Sequence, residues 1–384
     1  MKCKLSDICI CPKGKIEVAN LDEATYISTE NMLPNRGGVV PASGLPTIES
    51  TQAFAEGDVL VSNIRPYFKK IWQATFSGGC SNDVLVFRAK NGIDKDFLYY
   101  VLSDDQYFNY ATATSKGTKM PRGDKVAIMQ YIVPNVSHEE QCKIASILRA
   151  IDQKIQLNKE INHNLQQQIK VLYANYFVDT FNTEWPEVPL SKLILFQEGP
   201  GIRNWQYVDD GVKFINIRCI NNGSIDISTA NKISREEAYG KYKHFLLEPY
   251  DIVMSCSGTL GRYAIVQEEH LPLCLNTSVI RFKPRQNDFD YSFVYGYMTS
   301  TEFLNRQLVM ANGSAQVNFG PTHLKQITIK EPPVELRKQF NYIVMPIINS
   351  MIAIRGESTK LALVRDALLP KLMSGEIDVS EVEI

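Results

Sequence analysis

The sequence has 384 residues, a hydrophobic fraction of 44%, a charged fraction of 22% and a formal net charge of −1. This length favours two or three domains over one. The balanced charge argues against a nonspecific nucleic-acid coat, which would be strongly basic, but it allows positive charge that is concentrated locally. No apolar run reaches the roughly 18 residues that span a bilayer, and the N-terminus lacks the apolar core of a signal peptide. We therefore expect a cytoplasmic protein.

The predicted elements follow the same order in the two halves of the chain. Each half begins with a mixed region of short β-branched runs broken by glycine, proline and asparagine. These runs predict strands at 84–88, 212–220 and 278–282. A short helix is predicted next in each half, near Lys95–Ser103 and over 291–303. Each half then continues through a loop and a further short strand to a long helix.

The long helix after the first half is the clearest local prediction. Its apolar residues recur at alternating steps of four and three, which is the spacing of a coiled-coil seam. The seam consists of Ile144, Leu148, Ile151, Ile155, Leu165, Ile169, Leu172 and Tyr176. Asn158 and Asn162 fill the two gaps, which lowers stability but fixes register. Ser137 and Glu140 resemble a capping box, and roughly 40 residues of helix span about 60 Å.

A second long helix is predicted at the end of the chain, with a less regular seam. The predicted seam residues are Phe340, Ile343, Ile347, Ile354, Leu361, Val364 and Leu368. Ser350 and Glu357 interrupt this series. Pro346 lies inside it, so we expect a kink in this helix or a delayed start.

An internal repeat is the strongest organisational signal in the chain. Residues 57–62 resemble 250–255, 80–84 resemble 275–279, 97–102 resemble 293–298, Gly117 matches Gly313, and Ile144 matches Phe340. The matched positions lie 193 to 196 residues apart, and this spacing barely drifts along the chain. Each repeat ends in one long helix with an apolar seam. We expect the two helices to pair with each other, and the pattern alone leaves their relative direction open.

The common patterns of catalytic and metal sites are absent from the sequence. It has no P-loop, no dinucleotide-binding glycine fingerprint, no His-Glu-x-x-His, no Gly-x-Ser-x-Gly and no Asn/Asp-Pro-Pro-aromatic tetrapeptide. The eight cysteines include no Cys-x-x-Cys pair, and Cys9 with Cys11 alone is a weak metal signal. We expect reduced, mostly buried thiols. The sequence favours a binding protein with no catalytic residues, no metal and no cofactor.

Contacts with nucleic acid are predicted in loops that recur in the two halves. Residues 115–125 carry four cations against one acid, and a second basic cluster lies at 63–70. Lys, Arg, Asn and Gln are the side chains that hold phosphates and read base edges. The candidate DNA-binding residues are Arg65, Lys69, Lys70, Lys116, Lys119, Arg122, Arg203, Asn204, Arg218, Lys241, Lys243, Arg262, Gln316 and Asn318. Ordinary solvated surface is the alternative for each loop, and Trp205 is expected to be partly buried rather than stacked on a base.

Several segments, taken in order, resemble the specificity subunits of type I restriction–modification systems. The segments that carry the resemblance are 26–32, 57–66, 117–118 and 139–141 in the first half, and 258–261, 276–278 and 369–377 in the second. The resemblance covers nearly the whole chain. It implies an α+β fold with two repeated mixed α/β target recognition domains, each followed by a long helix, and with the two helices paired as an antiparallel coiled coil.

The resemblance also implies domain limits. They are a first target recognition domain at 1–136, a spacer helix at 137–180, a second target recognition domain at 181–334, a spacer helix at 335–375 and an acidic tail at 376–384.

The function implied is recognition of double-stranded DNA without catalysis. Each domain would read one half of a bipartite, asymmetric site, and the helix length would set the unread gap. The two helices would bind methyltransferase subunits, which carry out the chemistry on the target adenine. Motor and nuclease subunits would join through the complex.

Two other functions remain open at the level of sequence. One is a stand-alone nucleic-acid-modifying enzyme with an unfamiliar site, which would bind a methyl donor without partners. The other is a coiled-coil adaptor, which would show no salt-dependent affinity for DNA.

Overall fold

The structure is a computed structural model that describes residues 2–179, 184–221, 223–311 and 318–382. The chain divides into two compact units. The first unit comprises Met1–Gln156 and Thr359–Ile384, and the second comprises Leu157–Ser358. Because both division points lie within the long helices, each unit takes part of both helices into its own core.

The first unit contains two four-stranded sheets covered by short helices. Its strands are β1 (Lys2–Lys4), β2 (Cys9–Ile10), β3 (Lys15–Glu17), β4 (Tyr26–Ile27), β5 (Ser50–Phe54), β6 (Val59–Ser62), β7 (Ile71–Gln73), β8 (Gly78–Cys80), β9 (Val84–Ala89) and β10 (Ile132–Pro134). Its helices are α1 (Leu5–Ile8), α2 (Lys95–Ser103), α3 (Asp105–Ala113), α4 (Lys125–Ile128) and the first part of α5 (His138–Phe177). The sheet orders are β2-β9-β6-β7 and β3-β5-β8-β4, while β1 pairs with β10.

The second unit repeats this plan and contains more strands. They are β11 (Glu187–Pro189), β12 (Ile194–Glu198), β13 (Tyr207–Val208), β14 (Val212–Ile215), β15 (Ile220–Asn221), β16 (Ser224–Ile225), β17 (Asn231–Ile233), β18 (Ile252–Ser255), β19 (Tyr263–Ile265), β20 (Leu273–Leu275), β21 (Val279–Pro284) and β22 (Thr328–Lys330). Its helices are α6 (Leu190–Leu193), α7 (Arg235–Tyr239), α8 (Tyr291–Thr299), α9 (Thr301–Ala311), α10 (Pro321–Leu324) and most of α11 (Val334–Ser374).

One sheet is the same in both units and the other is not. The order β12-β21-β18-β19 reproduces β2-β9-β6-β7, with every neighbour antiparallel. The remaining sheets differ, because β8 lies between β5 and β4, whereas β20 lies at the edge beside β14. The units therefore share a scaffold and differ in the strands built onto it.

Matched ion pairs within the shared sheet confirm the internal repeat. The guanidinium of Arg88 binds both carboxylate oxygens of Asp58 at 2.7 Å, and Arg281 lies 3.2 Å from Asp251. The two arginines, like the two aspartates, are 193 residues apart. Both aspartates are buried, so each pair holds its carboxylate inside the protein by hydrogen bonds to a cation.

The predicted seam of α5 is confirmed in the part of the chain that the structure describes. Ile144, Leu148, Ile155 and Ile169 are buried, as are both asparagines of the seam, and the other seam residues are half-buried. The capping box is also present, since Ser137 Oγ accepts from the N–H of Glu140 at 3.3 Å while the Glu140 carboxylate accepts from the Ser137 N–H at 2.8 Å.

The predicted seam of α11 is wrong in register. Phe340 is buried as expected. The next buried residues along the helix are Val344, Ile348 and Met351, whereas the predicted Ile343 and Val364 are exposed. Successive buried residues are four, four and three positions apart. This spacing is typical of a helix that packs one face on a globular core, rather than of a strict coiled-coil seam. In the second unit these side chains pack among those of α8 and α9.

Pro346 does not delay the start of α11. The helix begins at Val334, twelve residues earlier, and continues past the proline to Ser374. The early start is fixed by Arg337, whose Nε–H donates to the carbonyl of Pro332 at 3.2 Å.

The two long helices run antiparallel. Within the second unit, Phe177 of α5 contacts Phe340 of α11 with ring centres 4.9 Å apart. Asn158, nearly twenty residues earlier on α5, donates from Nδ2 to the Glu357 carboxylate at 2.8 Å. The partner number rises as the α5 number falls, which is the antiparallel arrangement.

Two predicted elements are interrupted by capping side chains. The helix predicted over 291–303 is two helices, α8 and α9, because Ser300 is extended and its Oγ accepts from the N–H of Phe303. The strand predicted over 212–220 is split by a 3₁₀ turn at Ile217–Cys219, where the side chain of Asn216 accepts from the N–H of Arg218.

Candidate nucleic-acid interface

The two basic clusters predicted in the first half form one surface in the first unit. Lys116 and Arg122 exchange backbone hydrogen bonds of 2.8 and 2.9 Å, which close the loop between them. Two backbone hydrogen bonds join that loop to the other cluster. The N–H of Arg65 donates to the carbonyl of Pro121 at 2.8 Å, and the N–H of Gly123 donates to the carbonyl of Asn63 at 3.0 Å. We call residues 63–70 and 115–125 the first basic surface.

Three of the seven cations of the first basic surface, Lys69, Lys116 and Arg122, have acidic partners in the described part of the chain. Lys116 lies 2.6 Å from Asp124, and Arg122 lies 3.1 Å from Asp83. Lys119 is exposed and has no side-chain partner within the described part of the chain. Exposed pairs of this kind contribute little to stability, so these cations are available to exchange a carboxylate for a phosphate.

Lys70 and Lys69 are held more firmly. The ammonium of Lys70 donates to the carbonyl of Thr29 at 2.6 Å, and partial burial lowers its pKa. Lys69 lies 2.8 Å from Asp105, whose carboxylate also binds Arg36. Sequence reasoning missed Arg36, although its place in the run Asn-Arg-Gly-Gly marks a turn.

Unusual backbone conformations are concentrated beside this surface. Asn35, Arg36, Arg65 and Lys69 all have φ between 51° and 59°, the left-handed region that non-glycine residues rarely adopt. The N–H groups of Asn35 and Arg36 donate to the carbonyls of Phe68 and Lys69 at 2.8 and 2.9 Å. These cross-links hold both turns in place, and strain of this kind is characteristic of functional sites.

In the second unit, the prediction that Trp205 is partly buried is wrong, because its side chain is 80% exposed. It lies on the 3₁₀ turn Asn204–Gln206, next to exposed Arg203. Gln206 anchors the turn, since its Nε2 donates to Glu237 at 2.7 Å and to the hydroxyl of Tyr242 at 3.3 Å. The turn is held by Gln206, and the indole itself points into solvent.

Two further candidates lie close to Tyr242. Lys241 is exposed, with its ammonium 5.0 Å from the centre of the Tyr242 ring. Lys243 is exposed on the 3₁₀ turn Lys243–Phe245. The anchored turn that carries Asn204 is therefore brought next to the element that carries Lys241.

A second group of candidates surrounds the loop 256–262. Arg262 is exposed at its end, and Asn318 pairs with Ser257 in an isolated β-bridge. Arg218 follows Ile217, whose N–H donates to Ser278 Oγ at 3.3 Å. The candidate Gln316 lies outside the described residues. We call 216–218, 256–262 and Asn318 the second basic surface, because contacts through Ser278 and the Ser257–Asn318 bridge join them.

The same backbone contacts build both surfaces. The N–H of Ser62 donates to the carbonyl of Lys70 at 3.0 Å, and the N–H of Ser255 donates to the carbonyl of Arg262 at 2.8 Å. The carbonyl of Asn63 accepts from Gly123, and the carbonyl of Cys256 accepts from Phe319 at 2.7 Å. The loops that follow β6 and β18 thus occupy equivalent places in the repeat.

The described residues offer little for metal chemistry. They contain no group of three or more histidine, cysteine or acidic side chains arranged to hold a metal. Burial raises the pKa of the thiols of Cys9, Cys80, Cys256 and Cys274 to about 12, which disfavours the thiolate that binds metals. None of the helices described is long and apolar enough to cross a membrane.

Comparison with known proteins gives consistent matches over most of the chain. Residues 1–167 and 183–361 each match the family described as type I restriction modification DNA specificity domain. The chain is 24% identical over 404 residues to the MjaVIII specificity subunit of Methanocaldococcus jannaschii, covering 96% of this chain and 91% of that one. It is 24% identical over 314 residues to the MjaIX specificity subunit of the same organism, covering 76% and 71%.

A solved structure shows the same fold. It is the S subunit of a type I restriction–modification system from M. genitalium, which matches with a TM-score of 0.54 and 16% identity and covers 97% of this chain and 96% of that chain.

Proposed function

The chain belongs to the family of type I restriction modification DNA specificity domains, and from this premise we propose that it is the DNA-reading subunit of a type I restriction–modification complex. It reads a bipartite, asymmetric site in double-stranded DNA, one half through each basic surface. It brings the methyltransferase and motor/nuclease subunits of the complex to that site and performs no chemistry itself.

The observation that carries this proposal is the matched construction of the two basic surfaces. The loops after β6 and β18 are fixed by equivalent hydrogen bonds, at Ser62 and Asn63 in one unit and at Ser255 and Cys256 in the other. A single basic loop is ordinary protein surface. Two loops held alike in two repeats, the first with Arg65, Lys69 and Lys70 and the second ending in Arg262, support a shared binding role.

The differences between the surfaces account for an asymmetric target. The first presents mainly Lys and Arg, including Lys116, Lys119 and Arg122, while the second presents Arg218, Arg262 and Asn318. Arginine pairs with guanine edges and asparagine with adenine edges in the major groove. Side chains that differ at equivalent places therefore select different half-sites.

The domain limits and partner contacts follow from the same proposal. Residues 1–136 and 181–334 form the two target recognition domains, 137–180 and 335–375 the spacer helices, and 376–384 the tail. Exposed apolar side chains on the helices support their use as methyltransferase contacts. They include Val171 on α5 and, on α11, Tyr342, which is 84% exposed, and Leu363. Contiguous exposed apolar surface is what marks a site that a partner covers.

The decisive experiment measures DNA binding and methylation by the complex with methyltransferase. Genome-wide mapping of modified adenines first supplies the target sequence. The triple variant Lys116→Ala, Lys119→Ala, Arg122→Ala removes three cations of the first basic surface. We expect weaker binding and a slope of log K against log salt that is shallower by up to about 0.9 for each lost phosphate contact, with helix content and complex formation unchanged.

A charge-matched control is available elsewhere in the chain. The triple variant Lys90→Ala, Lys192→Ala, Lys283→Ala removes three cations outside both surfaces and outside the long helices. Lys192 and Lys283 pair with glutamates, and Lys90 donates to the carbonyl of Ser6. This control should bind and methylate as the wild type does. Unchanged methylation in the first triple variant would remove the first surface from the interface. Binding of a methyl donor by the purified chain without partners would overturn the non-catalytic assignment.

A further inference from the structure

Two aromatic side chains form an exposed tip on the first basic surface. Tyr67 is 48% exposed and Phe68 is 39% exposed, and their ring centres lie 4.8 Å apart. Both belong to the 3₁₀ turn Pro66–Phe68, which connects β6 to β7. Exposed rings forgo the stabilisation that burial gives, and a ligand that covers them would supply it.

The backbone that carries the tip is held on both sides. Arg65 and Lys69, the residues that flank the turn, have φ of 51° and 52°. The N–H of Arg65 donates to the carbonyl of Pro121 at 2.8 Å, and the carbonyl of Phe68 accepts from Asn35 at 2.8 Å. Since neighbouring loops fix the turn from two directions, the rings are presented in advance of binding and lose little freedom when a ligand covers them.

The surroundings of the tip are strongly basic. Residues 65–70 and 115–125 hold seven cations and one acid, although the whole chain has a net charge of −1. Met120, next to the Pro121 that anchors the turn, is 51% exposed and adds an apolar group. An apolar tip within a ring of cations matches a nucleic-acid duplex, where stacked bases lie between two lines of phosphate.

We propose that Tyr67 and Phe68 form a wedge that enters a base step of the duplex when the first unit binds its half-site. The proposal rests on the proposed function, because it requires that the first basic surface contact DNA. The surrounding Lys and Arg side chains hold the phosphates on either side of the opened step, and the rings replace the stacking that the bases lose. The duplex bends at that step.

The wedge acts on one half-site only. The equivalent loop after β18, residues 256–262, contains no aromatic residue and has glycines with positive φ at Gly258 and Gly261. The paired-ring wedge is therefore confined to the half-site that the first unit reads. The exposed indole of the second unit, Trp205, is a single ring on a different loop, the 3₁₀ turn Asn204–Gln206. A flexible pyrimidine–purine step is the preferred place for the wedge, because such steps unstack most easily.

The test uses the complex with methyltransferase and a duplex carrying the mapped target, with 2-aminopurine placed in turn at each step of both half-sites. Emission of 2-aminopurine rises when its neighbour is unstacked. The methyltransferase takes its target adenines out of the stack, so emission should rise at those positions in every variant. We expect the wild type to raise it at one further step, in the half-site that the first unit reads. The double variant Tyr67→Ala, Phe68→Ala should abolish this rise and weaken binding about tenfold or more. The exchange Tyr67→Phe, Phe68→Tyr keeps both rings and should preserve both signals.

Controls separate the possible failures. Ile132→Ala removes another exposed apolar side chain of the first unit, on β10, and should leave emission and affinity unchanged. If the wild type binds the target but emission rises only at the target adenines, the wedge is refuted and the proposed function stands. If the double alanine variant instead loses its methyltransferase in the absence of DNA, the tip is a protein contact and the wedge is also refuted. If the wild-type complex does not prefer its target over other DNA, the proposed function itself fails.

Discussion

Replacing Arg337 with methionine should destabilise the second unit severely. Arg337 and Asp290 form an ion pair with both side chains almost completely buried, and Arg337 also donates to the carbonyl of Pro332. Removing the cation leaves the Asp290 carboxylate buried without its charged partner. Breaking a buried pair in this way costs about 3–5 kcal/mol, because the remaining charge stays desolvated.

The repeat itself supplies the matched comparison. In the first unit, Gln141 stands at the position equivalent to Arg337 and Asp94 at the position equivalent to Asp290. The Gln141 side chain accepts from the N–H of Asp94 at 3.0 Å, so a neutral side chain connects the same two positions there. The double variant Asp290→Asn, Arg337→Gln removes both charges and keeps groups able to hydrogen-bond. We expect it to be more stable than Arg337→Met, since no uncompensated charge remains in the core.

Hydrogen exchange of the full chain is the suitable assay. The two units need not unfold together, so one global unfolding curve does not isolate the effect. Amides of β18, β21 and α8 should exchange faster in Arg337→Met by a factor that corresponds to about 3–5 kcal/mol, while amides of β6 and β9 serve as the internal control. If Arg337→Met lowers the free energy of opening by less than about 1 kcal/mol, or if the double variant lowers it equally, the destabilisation is not caused by a buried, unpaired charge.

Three further outcomes are expected. Asp124→Asn releases Lys116 from its ion pair, so DNA affinity should rise, because the lysine no longer gives up a carboxylate to bind a phosphate; the salt slope should stay the same, since the number of phosphate contacts does not change, and an unchanged affinity would contradict this. Gly199→Ala places a Cβ 2.5 Å from the backbone of Leu275 and should cost the second unit about 1–3 kcal/mol, measured by hydrogen exchange of its strands, whereas Gly44→Ala, which meets open space, should cost the first unit much less. Burial lowers the pKa of His270, so the unfolded chain binds a proton that the folded chain does not; stability should fall as pH drops below about 6.5, and His270→Asn should flatten that fall.

Much of the candidate interface could be located from sequence but not assembled from it. The clusters at 63–70 and 115–125 were visible as runs of cations. They form one surface because the N–H of Arg65 donates to the carbonyl of Pro121, and these two residues are far apart in the chain. The roles of Arg36 and Asp105 could not be seen, because no local pattern indicates which carboxylate two distant cations share.

The sequence by itself determined the features that depend on neighbouring residues. The α5 seam, the capping box at Ser137 and the bounds of α2 follow from spacings of three and four and from local hydrogen bonds, which act over one or two helical turns. The doubling of the chain was equally visible, since each repeat carries the same local patterns.

The tertiary structure decided which faces those elements turn inward. In α11, Val344 and Ile348 are buried and Ile343 is exposed; all three are apolar, so only the shape of the core beside the helix distinguishes them. Trp205 is exposed for a related reason, because Gln206 anchors its turn to Glu237 and Tyr242 from another part of the chain. Burial is a property of what lies opposite a side chain, and that is set by long-range packing rather than by the residue itself.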